Sequence, residues 1–294
     1  MRMFKFDEVL SRLKELDSWL AQLGLDPKSN DRIHQAIGVL QMAEEGLSAF
    51  RETNEVTKIG NIDDYYFGIT EALEFSDIYA AFRDESPEVL GPKLQRALKG
   101  PFRPKDETPR NAEGRNTMYE LALAADLKRQ GIEVVVGDPD IIVSLANRSF
   151  LIECKRPSAE HSIRANVRGA AVQLREKLDR KDHEEARGII AISLSRILNP
   201  GTKIFVAPNE ADKERLGDRL AMLMQQHEDD WKKSETHKRI AAVLFQAVTP
   251  AAIGNAEGKK DSLVRLSYMT VMPTGTDKEG FLAIEKTLPQ MLNY

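Results

Sequence analysis

One cysteine, Cys154, stands in 294 residues. It cannot form an internal disulfide, it rules out a cysteine-built zinc cluster, and it agrees with a reducing compartment. Histidine is also scarce, at five residues, so chemistry built on clustered imidazoles has little material. No apolar run approaches the roughly 20 residues that span a bilayer. The opening stretch Met1 to Glu8 turns acidic at once and lacks a signal-peptide core; a cytoplasmic protein with no membrane partner is expected. There is no Gly-rich dinucleotide or Walker loop, so a small-molecule α/β enzyme of that kind has no support. No repeat or low-complexity tract is present. What remains, 41% hydrophobic and 30% charged residues, is ordinary for a globular chain.

The charge is unevenly spread. Residues 1–100 carry 12 Lys and Arg against 18 Asp and Glu, and the rest carries 30 against 28. Residues 150–180 are locally basic, 7 against 4, as a phosphate-handling surface requires.

The first hundred residues read as helical. Phe6, Val9, Leu10, Leu13, Leu16, Leu20 and Leu23 recur at helical spacing up to Gly24, Ser29-Asn30-Asp31 caps a second helix, and further helices are expected within 62–83 and 87–98. The aromatic cluster of Tyr65, Tyr66, Phe67, Phe75, Tyr79 and Phe82 reads as helix packing. The proline-rich stretch 101–111 reads as a linker. Beyond it the pattern alternates. A helix is expected over about 112–130, strands at 132–136, 139–145 and 149–155, and a helix over 162–180. A strand at 188–194, a charged helix over 209–233 and strands at 240–248 and 263–271 complete it. The fold class is therefore α/β: a mixed sheet flanked by helices over 112–294, preceded by a helical domain at 1–100.

Two apolar strands carry charge. Pro139-Asp140 opens the first, and Glu153-Cys154-Lys155 ends the second, with Ala146-Asn147-Arg148 short enough for a hairpin between them. Alternation sets Glu153 and Lys155 on one face and turns the Cys154 side chain to the other, into the core. Buried charge is costly unless paired or bound to a metal, so Asp140, Glu153 and Lys155 suggest a divalent-cation site with a lysine beside it. A structural ion pair at a sheet edge is the plain alternative. Asp138 rivals Asp140 but reads as a turn residue. Glu120, with Glu113 as its rival, adds a carboxylate from the preceding helix. On the 162–180 helix, steps of about 100° per residue set Arg164, Arg168 and Arg175 on one flank of the apolar stripe and Asn166, Gln173 and Lys177 on the other.

The order of helix carboxylate, Pro-Asp at a strand start and Glu-x-Lys thirteen residues later resembles the PD-(D/E)xK, or restriction-endonuclease-like, nuclease superfamily over roughly residues 112–195. The resemblance implies a Mg²⁺- or Mn²⁺-dependent endonuclease. Asp140, Glu153 and the Cys154 backbone carbonyl would hold the ion, Glu120 a second ion or its water, and Lys155 would orient the attacking water. Gln173 is the matching candidate for a glutamine on the following helix. Arg164, Arg168 and Arg175 would contact a phosphate backbone. DNA is the implied substrate, with RNA as an alternative, and a homodimer and a role in restriction or defence are implied by analogy. The rival of another class is a binding or scaffold protein on the same fold that no longer cuts.

Overall fold

The computed structural model describes residues 6–29, 31–53, 62–138, 140–200, 205–207, 214–232, 238–253 and 262–287. Pro139 and Asn30, both part of the sequence reading, lie outside the described residues. The chain forms two compact units, one of 1–125 with 200–212 and 249–266, the other of 126–199 with 213–248 and 267–294.

The first unit is built on helices α1 (Phe6–Gln22), α2 (Arg32–Thr53), α3 (Ile62–Phe82), α4 (Pro87–Leu98) and most of α5 (Glu113–Arg129). Of the periodic residues, Val9, Leu10, Leu13, Leu16 and Leu20 are buried, together with Trp19, while Leu23, just past the helix, is half-buried. Gly24 ends this helix with φ 72°, and Leu25 N–H closes back on the Leu20 carbonyl at 2.9 Å, a left-handed cap that glycine adopts without strain. Asp31 precedes α2. Its side chain accepts from Lys28 N–H at 2.7 Å, and its carbonyl takes the first helical bond from Gln35. Ser86 caps α4 through Glu88 N–H, with Pro87 in the first turn, where its missing N–H costs nothing. Trp19 packs edge-on against Tyr79 at 5.4 Å and donates to the Arg83 carbonyl.

The 101–111 stretch, expected as a linker, is packed structure instead. Phe102 is buried against Phe67 at 5.1 Å. Arg115 of α5 donates to the Pro101 and Phe102 carbonyls and to Glu71 Oε1, and its guanidinium lies 4.9 Å over the Phe67 ring. Arg32 holds the other Glu71 oxygen and the Ala97 carbonyl. Burial holds the Arg32 pKa down to about 10 in spite of Glu71. Burial also acts to raise the Glu71 carboxyl, but the two guanidinium groups outweigh it and lower its pKa. Polar charge buried in this way binds the proline-rich stretch to the helices, and the division between units falls later, inside α5.

The second unit holds most of the mixed sheet. Strands β1 (Glu133–Val136), β2 (Ile141–Leu145) and β3 (Arg148–Lys155) form an antiparallel meander. Helix α6 (Ile163–Leu178) then crosses over to β4 (Arg187–Ser193), parallel to β3. A short helix α7 (Ser195–Leu198) follows; β5 (Phe205–Ala207) pairs in parallel with residues 251–253 of β6 (Ile240–Ile253). β6 is parallel to β4 and also pairs with β7 (Ser262–Pro273). Helices α8 (Glu214–Gln226), α9 (Glu228–Lys232) and α10 (Lys278–Thr287) complete the described elements. The charged helix expected over 209–233 is thus broken at His227, whose N–H is shared between the Leu223 and Met224 carbonyls. The three-residue β5 and the short α7 lie below the length at which periodicity shows, and α10 had no reading at all.

Two details of this unit position the site. The β2–β3 turn is Ala146-Asn147, both at positive φ, the conformation of a tight two-residue hairpin. The register Leu145↔Arg148 through Ile141↔Ile152 brings Asp140, the residue before β2, to the Glu153-Cys154 end of β3, where it accepts the Cys154 N–H. α6 packs its stripe of Ile163, Val167, Ala170, Ala171, Leu174 and Leu178 against β3 and β4. Arg239, just before β6, fixes its far end by donating to the Leu178 carbonyl, one that a helix terminus otherwise leaves unsatisfied, and it also donates to the carbonyls of His183 and Glu184.

Candidate metal centre

β3 lies between β2 and β4, so the Glu-x-Lys strand is central rather than at a sheet edge. Glu153 is 3% exposed. Both of its oxygens are held: Oε1 by Lys155 Nζ at 3.1 Å, Oε2 by Lys177 Nζ of α6 at 2.9 Å. Lys155 keeps 23% of its side-chain surface and so faces both the carboxylate and solvent. Asp140 ends the 137–140 loop between β1 and β2, and its Oδ2 accepts the Cys154 N–H at 2.8 Å. That bond aims the Asp140 carboxylate at the Glu-Cys-Lys segment. The Cys154 side chain is buried, as alternation requires.

Asp138, expected as a turn residue, lies in the same loop and is 68% exposed. It pairs with Lys177 Nζ at 2.8 Å and with Arg180 at 3.6 Å. The Lys177 bond is the chief reason its carboxyl pKa is lowered. For Lys177, burial acts to lower the ammonium pKa, but its bonds to Asp138 and Glu153 prevail and raise it. Lys177 is the site residue that sequence reasoning missed. The signal was available, since it stands four residues after Gln173 on the same flank of α6, but a lysine there reads as solvated.

Gln173 is exposed, one turn before Lys177. Because α6 returns antiparallel to β3, that turn, about 6 Å of rise, lies toward the Lys155 end of the strand. Arg168 and Arg175 are exposed on the other flank, while Arg164 stands 3.7 Å from Asp230 of α9. Glu120 belongs to the first unit, where its carboxylate meets Lys93 Nζ of α4 at 2.8 Å with both side chains mostly covered. Among the described residues no group of three His, Cys, Asp or Glu side chains is placed to hold a metal ion. The two carboxylates at this end of β3, Asp140 on the Cys154 N–H and Glu153 next to Cys154 in sequence, offer oxygen ligands. That set suits a hard cation such as Mg²⁺, which takes one or two carboxylates and keeps several waters, and does not suit a closed structural cage.

Beyond Lys155 the chain turns at 160–162 into α6, and His227 joins that turn to α9. Its Nδ1 meets Asp230 at 2.8 Å and its Nε2 meets Glu160 at 3.1 Å. Burial acts to lower the imidazolium pKa, but the two carboxylates prevail and raise it above the ordinary 6.5. The sign follows from linkage: the stabilisation is fully present below about pH 6.5 and is lost as pH rises through the elevated folded value. Thermal melts between pH 5 and 9 are expected to show this loss in the wild type and not in His227→Ala; parallel pH profiles would refute it.

No protein-family model matches the chain, and neither does a curated protein or a solved structure. No helix among the described residues is long and apolar enough to cross a membrane. The chain is an α/β protein with a mixed sheet flanked by helices.

Proposed function

We propose that this protein is a metal-dependent nuclease of the restriction-endonuclease-like kind, with DNA as its substrate. The observation that carries the reading is the buried Glu153 on a central strand, paired with Lys155, with Asp140 bonded to the N–H of the intervening Cys154. The order helix, Asp140 at a strand start, Glu-x-Lys strand and following helix is also the order the resemblance calls for.

In this reading Asp140 and Glu153, with the Cys154 carbonyl, hold Mg²⁺ or Mn²⁺. When bound, the ion polarises the phosphate and acidifies the attacking water. Lys155 donates to that water or to the developing negative charge, from a partly covered site where a fixed cation is worth more than in bulk water. Gln173 positions substrate or water from α6. Arg168 and Arg175, with Arg164 where Asp230 releases it, meet the sugar-phosphate backbone without reading sequence. A cytoplasmic homodimer that cuts both strands of foreign DNA, with the helical N-terminal part as docking or dimer surface, completes the proposal.

The test is Mg²⁺- and Mn²⁺-dependent cleavage of supercoiled plasmid, single-stranded DNA and RNA by wild type and Asp140→Asn. Cleavage of DNA that Asp140→Asn lacks is the expected result, whereas RNA cleavage alone would change the substrate. One observation favours a second reading, a silent nuclease-fold scaffold: Glu153 already has an ammonium group on each oxygen. No hydrolysis of any nucleic acid, with no divalent ion bound by calorimetry, would establish that reading and sink the first.

A further inference from the structure

The geometry points to Lys177 as a resident counter-cation of the candidate metal centre, one that holds Glu153 before a divalent ion arrives and transfers to Asp138 when the ion takes its place. This rests on the metal-centre reading.

Three observations carry it. Glu153 is buried on a central strand, where an ionised carboxylate without a partner is costly. Lys155 satisfies one oxygen and Lys177 the other, so the metal-free carboxylate is fully paired and aimed. The Lys177 ammonium has a second carboxylate at an equal distance, Asp138, 2.8 Å away against 2.9 Å for Glu153. The two acceptors differ in surroundings: the Asp138 side chain is 68% exposed and that of Glu153 4%. Asp138 is therefore a place where the ammonium stays paired while its remaining donors turn to water.

A divalent ion bound at Glu153 Oε2 competes with the ammonium for that oxygen's negative charge, and the two cations repel each other at such short range. An ammonium on a flexible four-carbon stem can move, while the carboxylate is fixed on its strand. Metal binding is then an exchange of cations, with the lysine displaced a short way along a carboxylate pair already in contact with it. Two consequences separate this role from plain structural support. Lys177 stabilises the metal-free protein, and it weakens metal binding. A residue that merely props up the site would weaken metal binding when removed; this one is expected to tighten it.

The experiment measures Mn²⁺ affinity by calorimetry and the melting temperature of the metal-free protein, in the wild type, Lys177→Met, Lys177→Arg, Asp138→Asn and the Lys177→Met/Asp138→Asn double variant. For Lys177→Met the expected results are a lower metal-free melting temperature and Mn²⁺ binding about tenfold tighter, a factor that corresponds to about 1.4 kcal/mol. Lys177→Arg is expected to fold normally and bind Mn²⁺ more weakly, because a planar guanidinium grips two carboxylates more firmly than an ammonium. Asp138→Asn removes the landing place and is expected to weaken Mn²⁺ binding, an effect that vanishes when Lys177 is already Met. Unchanged or weaker Mn²⁺ binding by a folded Lys177→Met, while Asp140→Asn abolishes binding, would overturn the exchange and leave the metal centre standing. No Mn²⁺ binding by the wild type would overturn both.

Discussion

Lys155→Ala is expected to slow metal-dependent DNA cleavage by about 10²–10³-fold, the usual loss when one group that stabilises developing charge is removed, while leaving the protein folded. The two halves of this expectation have separate grounds. Lys155 Nζ lies 3.1 Å from Glu153 and still keeps part of its surface toward solvent, so it can reach a phosphate without giving up its orientation. Stability survives because the buried Glu153 retains Lys177 on its other oxygen. Lys155→Arg keeps the charge but replaces a compact donor with a planar fork, and its rate should fall between the two. Plasmid-nicking rates beside melting temperatures check all three proteins. Equal rates for wild type and Lys155→Ala would remove Lys155 from the chemistry whatever the protein binds.

The largest stability effect belongs to Glu71→Ala. Glu71 is 1% exposed and holds Arg32, itself fully covered, on one oxygen and Arg115 on the other. Removing it leaves two guanidinium groups among apolar side chains, and breaking a buried pair from one side costs about 3–5 kcal/mol. Glu107, 3.8 Å from Arg115 Nε, relieves part of the charge at Arg115, and Glu74 acts more weakly on Arg32. Against a typical domain stability of about 5–15 kcal/mol, the loss is large enough to shift a urea midpoint well outside error. Trp19 belongs to this unit, so its fluorescence reports the transition once Trp231 is replaced by phenylalanine. The pH dependence has a definite sign. The Glu71 pKa is lowered below 4.5 in the folded protein, so its contribution is complete above about pH 4.5 and disappears as pH falls through the lowered value. A Glu71→Ala cost under about 1 kcal/mol would show that the network is energetically neutral, an outcome known for some buried ion clusters.

The helices of the first unit and the strands β1 to β4 were legible because each is long or apolar enough for its period to show. Leu13, Leu16 and Leu20 fall on one face of α1, and the near-unbroken burial of β3 marks a strand covered on both sides. Asp140, Glu153 and Lys155 were legible for the same reason, as charges interrupting apolar strands. What stayed hidden depends on partners distant in sequence. Lys93 stands 27 residues before the Glu120 it pairs with, Lys177 stands 24 residues after Glu153, and no local pattern encodes either meeting. The 101–111 stretch misled because proline and charge are linker signals, whereas its Phe102 is buried and its carbonyls are taken by Arg115. The break at His227 was invisible because the residues on either side keep helical character.

The Ala146-Asn147 turn makes the β2–β3 hairpin a ruler. Asp140 stands five residues before Leu145 and Glu153 five residues after Arg148, and those two residues face each other across the turn. The thirteen-residue spacing between the carboxylates is therefore a length of arm counted twice around a fixed pivot. Adding a residue to one arm would slide one carboxylate past the other and turn the carboxylate on the lengthened arm to the opposite face of the sheet. Adding one to each arm would keep the pair opposed but reverse the face it shows, and adding two to each would restore it. What this hairpin must preserve, beyond the apolar character of its buried residues, is a parity and an equality of lengths.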